Sequence, residues 1–442
     1  MAELWSLSAH SLVEGYSNGT FTPVDALKSV LARCDAINPT INAVIARDDA
    51  ASIAMAEASA ARWAEGKPLS PLDGVPISIK DNLLMAGLPA TWGSRGLKDY
   101  MPETDEVPVA RLRAGGAVLF AKTNVPELTV QGYTDNLVFG ATGLPFAPDL
   151  TPGGSSGGAA SAVAAGIGPL ALCTDGGGSI RRPSAHAGLF GFKPGSGSVP
   201  RGAGFPAILG AFEVVGPIGR DARDVETMYH WLAGSEPDTA DVPKARVLYA
   251  RHFSNQPVDP DILRASDQAV KLLEALGHEV VTVESFDATA QTDSIWPVIS
   301  TAGVAWMAEH DPRIGGAMGE AVSGMAEAGR KLSARDYSGA LVGIEEMRLR
   351  YTAALDGFDV LMTPAIAAFS WPKSESHPET IDGKPVGPRG HAVFTAFANA
   401  LGLPAITLPI AAAKGVLPCG VQLVGATGSE SALLKIGREW TV

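Results

Sequence analysis

Gly153-Gly154-Ser155-Ser156-Gly157-Gly158-Ala159 leads into Ala160-Ser161-Ala162-Val163-Ala164-Ala165. Pro169-Leu170-Ala171-Leu172-Cys173 follows, and then Thr174-Asp175-Gly176-Gly177-Gly178-Ser179-Ile180-Arg181. The small side chains over 158–165 predict a closely packed helix, and the apolar run 169–173 predicts a buried strand. Three glycines then turn the chain, and Ser179 opens a further segment with Pro183 in its first turn, where proline is tolerated. Glycine permits backbone conformations that a Cβ forbids and lets another chain or a ligand approach closely. A serine held on such a turn can present its hydroxyl and the adjacent N–H groups to one point. That is what a nucleophile with an oxyanion hole requires. Two serine-bearing glycine turns this close are hard to explain as connectors.

Outward from this unit the same alternation recurs. Residues 75–79 and 117–121 predict strands, and 104–114 predicts a helix. Later, 259–276 predicts an amphipathic helix stopped by Gly277, 279–283 a strand, and 360–362 a short strand entered from a helix around 347–355. Residues 4–65 read as helical: Leu7, Leu12 and Val13 recur at helical spacing, Thr22-Pro23 starts a second helix, and the Ala-rich 49–65 forms a third. The alternation implies a large α/β domain with a mainly parallel sheet covered on both faces. The polar stretches 235–244 and 372–390, rich in Pro or Gly, separate no two autonomous cores and read as surface loops. One domain over 1–442 is therefore expected, with 1–65 packed on it as an N-terminal helical segment.

Composition narrows the function classes. Hydrophobic content of 46% with 18% charged residues describes a globular chain rather than a disordered one. A net charge of −13, with no run of Lys and Arg, argues against a nucleic-acid footprint. The three cysteines are widely spaced with no C-x-x-C, as expected of reduced thiols in the cytoplasm. The first 22 residues lack the basic start and apolar core of a secretory signal, and 159–173 is too short and too rich in Gly and Pro to cross a bilayer. The eight histidines include no H-E-x-x-H and no close pair at ligand spacing, so neither a metal nor a cofactor is implied. His186, just after Ser179, reads as a packed side chain.

Lys80 ends the apolar run Val75-Pro76-Ile77-Ser78-Ile79. It is either a charge emerging into solvent at the sheet edge or a desolvated amine. Burial disfavours the ammonium form, and a neutral amine near pH 7 is a competent general base. At the second loop the N–H groups of Gly176, Gly177, Gly178 and Ser179 could converge on a developing oxyanion. Losing one such donor typically costs about 3 kcal/mol of transition-state stabilisation. A phosphate cradle fits poorly, because no G-x-x-x-x-G-K-[ST] occurs and no G-x-G-x-x-G opens a helix with a matching acidic residue.

Taken together these motifs resemble the amidase signature family of serine hydrolases. The match rests on 153–158, 174–184 and Gly-Leu-Phe-Gly-Phe-Lys-Pro at 188–194, with Lys80-Asp81-Asn82 and Thr123-Asn124-Val125-Pro126-Glu127 upstream. Gly216-Pro217-Ile218-Gly219-Arg220 and Asn399-Ala400-Leu401-Gly402-Leu403-Pro404-Ala405 extend it over nearly the whole chain. The resemblance implies a single α/β/α domain around a mixed, twisted sheet, and hydrolysis of a carboxylic amide to acid plus ammonia or amine. It places the triad on Lys80, Ser155 and Ser179: Ser179 as the acyl-forming nucleophile, Ser155 as a bridging serine after a cis peptide bond, and Lys80 as the base acting through Ser155. Gly176 to Ser179 would form the oxyanion hole, with Ser156, Asp175 and Arg181 holding the loops in place. Leu150, Cys173 and Leu144-Pro145 depart from common family residues and bear on loop packing rather than on the triad.

Two rivals make different expectations. Gly153-x-Ser155-x-Gly157 also satisfies a G-x-S-x-G nucleophile elbow, which needs an acid and then a histidine downstream, such as Asp359 with His377 or His391. That reading leaves Lys80 and the second glycine loop unexplained. One branch of the family is the glutaminase subunit of a tRNA-dependent amidotransferase, active within a complex, and hydrazide or carbamoyl compounds are attacked by the same chemistry. The preferred expectation is a stand-alone enzyme on a small amide, without nucleic acid or membrane, compatible with a homodimer. Thr129, from its place in 124–132, is expected to touch the substrate, and Trp306, within 296–313, to wall the pocket. No charged residue stands out as a clamp for a substrate carboxylate, so a neutral or aromatic acyl group is expected.

Overall fold

Pro76–Lys80 and Leu170–Asp175 are two apolar runs without an exposed residue, and they lie side by side. The computed structural model describes residues 3–238, 244–410 and 417–440. Among these an 11-stranded sheet forms the centre of the molecule. Its strands begin with β1 (Val44–Arg47), β2 (Pro76–Lys80), β3 (Val118–Thr123), β4 (Leu170–Asp175), β5 (Phe190–Lys193) and β6 (Val214–Gly219). They continue with β7 (Arg246–His252), β8 (Glu279–Ser285) and β9 (Val360–Pro364). After a separate two-stranded hairpin, β10 (Thr380–Ile381) and β11 (Lys384–Pro385), come β12 (Ala405–Ile410) and β13 (Cys419–Gly425). The order across the sheet is β1-β3-β2-β4-β6-β5-β12-β13-β9-β7-β8.

The sheet is mixed, which corrects the mainly parallel expectation from strand–helix alternation. β2 runs parallel to β3 and β4, and β7 to β8 and β9. The centre, from β4 through β6, β5, β12 and β13 to β9, is antiparallel. A strand buried on both faces shows the same unbroken apolar run whichever way its neighbour points, so 169–173 carried no sign of direction. Each large apolar side chain buried there, such as Ile79 or Leu172, contributes about 1.5–3 kcal/mol.

The N-terminal expectation also needs correction. Residues 4–65 are not helical throughout, because β1 interrupts them and pairs antiparallel with β3 at the sheet edge. The helix Pro23–Ile41 stops at Asn42, which takes a left-handed φ of 51°. Asn38 Oδ1 then accepts from the N–H groups of Ala43 and Val44 at 2.9 and 2.8 Å, turning the chain into the strand. Arg220 fastens the start of the chain to the sheet. Its guanidinium donates to the carbonyls of Trp5 and Leu7 on one side and Val163 and Gly168 on the other. No helix among the described residues is long and apolar enough to cross a membrane.

Parallel pairing of β2 with β4 positions the site. The register Ile79 to Leu172 brings the C-terminal ends of both strands to one sheet edge, so Lys80 and the glycine loop after Asp175 emerge together. Such strand ends are where open α/β sheets commonly bind ligands. The helix Gly157–Ala164 packs across β2, β4 and β6. It approaches so closely that a Cβ on Gly158 would overlap the Asn124 backbone and come within 2.8 Å of the Ala43 carbonyl. Gly158→Ala therefore destabilises the fold by about 1–3 kcal/mol, the usual cost of overpacking. A urea unfolding midpoint equal to that of the wild type would show that the helix can shift freely.

Candidate active site

Lys80 is fully buried at the end of β2. Its Nζ lies 2.9 Å from Ser155 Oγ, 2.9 Å from Thr174 Oγ1 and 3.1 Å from the Thr174 carbonyl oxygen. Of the two readings of this lysine, the structure shows the desolvated one. Burial pushes the amine down to about 8, and acidic neighbours offset only part of that effect. Uncharged, the amine has two N–H bonds for the two Thr174 oxygens and a lone pair left for the Ser155 hydroxyl. Asn82 Nδ2 donates to the same Thr174 hydroxyl at 3.1 Å and holds it in place. A second buried lysine, Lys122, props the turn from below, donating to the Leu83 carbonyl at 2.5 Å and the Asp81 carbonyl at 3.3 Å.

Ser155 follows a cis peptide bond from Gly154. Gly154 sits against the Tyr133 carbonyl oxygen, where an added Cβ would approach to 2.5 Å, so a larger residue does not fit. The next residue joins the two glycine loops: Ser156 N–H donates to the Ser179 carbonyl at 3.2 Å and Ser156 Oγ to the Thr174 carbonyl at 3.3 Å. No hydrogen bond joins the Ser155 and Ser179 hydroxyls directly. Ser179 is 7% exposed, open to the cavity rather than sealed beneath the loop.

Asp175 organises the second loop. Its carboxylate accepts from the N–H groups of Gly178 at 2.6 Å and Ile180 at 3.0 Å, from Arg181 Nε and Nη2 at 3.1 and 2.9 Å, and from Asn399 Nδ2 at 2.9 Å. Burial pushes this carboxyl up, but the adjacent Arg181 charge and its hydrogen bonds overcome that and hold it far below the usual range. Arg181 is itself fully buried and donates onward to the Thr395 carbonyl, Gln422 and Asn399.

One expected oxyanion donor is corrected here. The Gly178 N–H is committed to Asp175, so it does not point at a substrate. The N–H groups of Gly176, Gly177 and Ser179 have no acceptor among the described residues. Their orientation follows from trans peptide geometry, in which each carbonyl points opposite to the next N–H. Trp296 Nε1 holds the Gly176 carbonyl at 3.2 Å, which turns the Gly177 N–H the other way. Arg182 Nη1 and Thr395 Oγ1 hold the Gly177 carbonyl at 2.5 and 2.7 Å.

Ser179 opens into a recess that Thr129, Trp296 and Arg389 also line, continuous through shared residues with a cavity of about 340 Å³. Thr129 thus lies at the recess, though its hydroxyl is committed: it accepts from Trp92 Nε1 at 3.0 Å and donates to the Leu128 carbonyl at 2.6 Å. Trp306 does not wall this pocket. It is half-exposed and stacks on His310 at 4.4 Å on the outer side of the helix Thr292–His310. Trp296, ten positions earlier, faces the site instead. Ten residues at about 100° each rotate the side chain onto another face, and helical periodicity alone does not say which face meets the loop.

Sequence reasoning also missed Thr174 as the lysine's second partner, although it stood inside the quoted loop, and missed Arg389 altogether. Residues 372–390 read as a surface loop, yet their end, Pro388 and Arg389, lines the cavity beside Ser179. The elbow reading has no acid–histidine pair to support it. Asp359 accepts from the Arg246 N–H at 2.7 Å, and His391 packs against Trp371 with ring centroids 4.6 Å apart. His186 bonds Ser370 Oγ at 3.1 Å, and burial pushes it down to about 3, so it is a neutral packed side chain.

Known proteins resemble this chain over nearly its whole length. A family model described as Amidase matches residues 25–434. The chain is 31% identical to a glutamyl-tRNA(Gln) amidotransferase subunit of Roseiflexus castenholzii, over 99% of this chain and 96% of that protein. It is also 31% identical to an acylamidase of Rhodococcus erythropolis, over 97% of this chain and 94% of that one. A solved bacterial aryl acylamidase of the amidase signature family superposes with a TM-score of 0.88 at 26% identity, covering 97% of this chain and 94% of its own. 6-Aminohexanoate cyclic dimer hydrolase does so with a TM-score of 0.85 at 26% identity, covering 99% and 96%.

Proposed function

The chain belongs to the amidase family, whose members hydrolyse amide C–N bonds, and we propose that it does so through an acyl-enzyme on Ser179 with Lys80 as the base. The observation that carries this reading is the buried Lys80 amine 2.9 Å from Ser155 Oγ, beneath the loop that bears Ser179. Ser179 Oγ attacks the carbonyl carbon. Its proton passes to Ser155 Oγ as the Ser155 proton passes to Lys80 Nζ. The oxyanion takes hydrogen bonds from the Gly176, Gly177 and Ser179 N–H groups, worth about 3 kcal/mol each. Collapse breaks the C–N bond, and the Lys80 proton returns through Ser155 to the leaving nitrogen. Water then attacks the Ser179 ester by the same relay and releases the acid. The Ser179-to-Ser155 link closes with substrate in place, as catalytic hydrogen bonds commonly tighten only in the Michaelis complex. Ser156, Asp175 and Arg181 hold the loops, and Thr129 lies against the substrate. The three free, buried cysteines fit action in the cytoplasm.

The isolated chain is expected to release ammonia or amine from a panel of small aliphatic, aryl and amino-acid amides. Lys80 must be unprotonated to accept a proton, so kcat/KM rises with pH through an apparent value near 8 and then levels. A fluorophosphonate adds one equivalent of mass at Ser179. Absence of both turnover and label would overturn the reading. Equal identity to an amidotransferase component favours a second reading, the glutaminase of a complex. Glutamine-specific turnover that appears only once partner chains are added would select it.

A further inference from the structure

The cavity beside Ser179 is lined by two arginines, Arg182 and Arg389, and among the described residues by no carboxylate. Their guanidiniums differ in how they are satisfied. Arg182 is held to the loops through its terminal nitrogens: Nη1 donates to the Gly177 carbonyl and Thr395 Oγ1, and Nη2 to the Gly154 carbonyl at 3.2 Å, leaving only Nε without a partner among the described residues. The Arg389 guanidinium lies flat on the Trp296 ring, 3.9 Å from its centroid, and donates no hydrogen bond and forms no ion pair to any described residue. Asp293 acts on it only through space. The same Trp296 holds the Gly176 carbonyl, so Arg389 and the free N–H groups of the loop share one wall.

A part-buried cation with five unused donors is costly unless something comes to meet it. Stacking on an indole fixes the plane of the fork and leaves its edge free for a planar anion, the arrangement suited to bidentate carboxylate recognition. The chain carries a net charge of −13, so a cavity whose charged lining residues are both positive also stands out electrostatically. We propose that Arg389 anchors a carboxylate of the substrate, so that the preferred substrate is an amide whose acyl or amine part carries a free carboxylate. This rests on the hydrolase reading above and replaces the neutral or aromatic acyl group expected from sequence.

Paired substrates test it: succinamate against butyramide, glutaramate against pentanamide, and adipamate against hexanamide. The wild type is expected to prefer the carboxylated member of at least one pair by on the order of 100-fold in kcat/KM, the usual range for a desolvated charge pair. Arg389→Gln collapses that preference ratio, chiefly through KM, and Arg389→Lys restores part of it. Calorimetric binding of glutarate to Ser179→Ala reads the anchor without turnover, and adding Arg389→Gln should weaken it at least tenfold. A melting temperature for each variant separates anchoring from unfolding. The anchor is overturned if the wild type turns over both members of every pair alike, or if Arg389→Gln changes neither the ratio nor glutarate affinity. Glutarate binding that depends on Arg389, with no amide turned over, would support the anchor and sink the hydrolase reading instead.

Discussion

If Ser179 and Lys80 act as proposed, Ser179→Ala is expected to lower kcat for amide hydrolysis by about 10⁴-fold or more, and Lys80→Met to do the same. Groups that act as one proton relay are lost together, so the double variant is expected to be little worse than either single one. The lysine substitution is the more telling. Lys80 is held in a fully buried position where its charge is disfavoured, and methionine matches its length without that cost. The Thr174 oxygens lose a donor, while the desolvation of an amine disappears, and replacing a buried ionisable group by an apolar one of similar volume is often nearly neutral for stability. Lys80→Met should therefore remain folded, with an unfolding midpoint close to that of the wild type, and be inactive across the whole pH range. Initial rates of ammonia release, measured with melting curves on the same preparations, check this. Residual turnover above a few per cent in folded Lys80→Met would show that another group takes the proton.

Arg181→Met is expected to cost about 3–5 kcal/mol of stability, because removing one partner strands the other as a buried charge. Asp175 would keep its bonds to the Gly178 and Ile180 N–H groups and to Asn399 but lose the guanidinium at 2.9 Å. The effect has a sign in pH. In the wild type the Asp175 carboxyl titrates far below its unfolded value of about 4. Its contribution is therefore complete above that pH and is lost as pH falls below it. Without Arg181 the folded carboxyl titrates closer to or above its unfolded value, so the acid-side loss shrinks and the gap between the two proteins narrows as pH falls. Denaturant midpoints for both proteins between neutral pH and pH 3 test this. Parallel curves separated by nothing measurable would mean that the pair is dispensable. Turnover should fall as well, since Asp175 sets the turn that aims the Gly177 and Ser179 N–H groups.

What the chain's local chemistry determined is the pair of serine-bearing glycine loops, the apolar strand between them and the lysine closing an apolar run. Lys80, Ser155 and Ser179 stood out as a lysine closing an apolar run and serines on glycine turns, whereas their roles together, and the places of Asp175 and Arg181, came from the family resemblance. Four further features were not legible locally, and they share a cause. A doubly buried strand looks the same in either direction, so strand–helix alternation pointed to a parallel centre, while the family resemblance implied the mixed sheet that is found. The Gly178 N–H was counted as an oxyanion donor because no sequence pattern reports that the Asp175 side chain folds back onto it. Trp296 rather than Trp306 faces the loop, and Arg389 reaches it from a stretch that looked like surface, because those positions depend on how elements more than a hundred residues apart pack together. Backbone preference acts over a few residues and leaves a record in composition. The charge and shape of the pocket arise where distant segments meet, and only tertiary packing decides them.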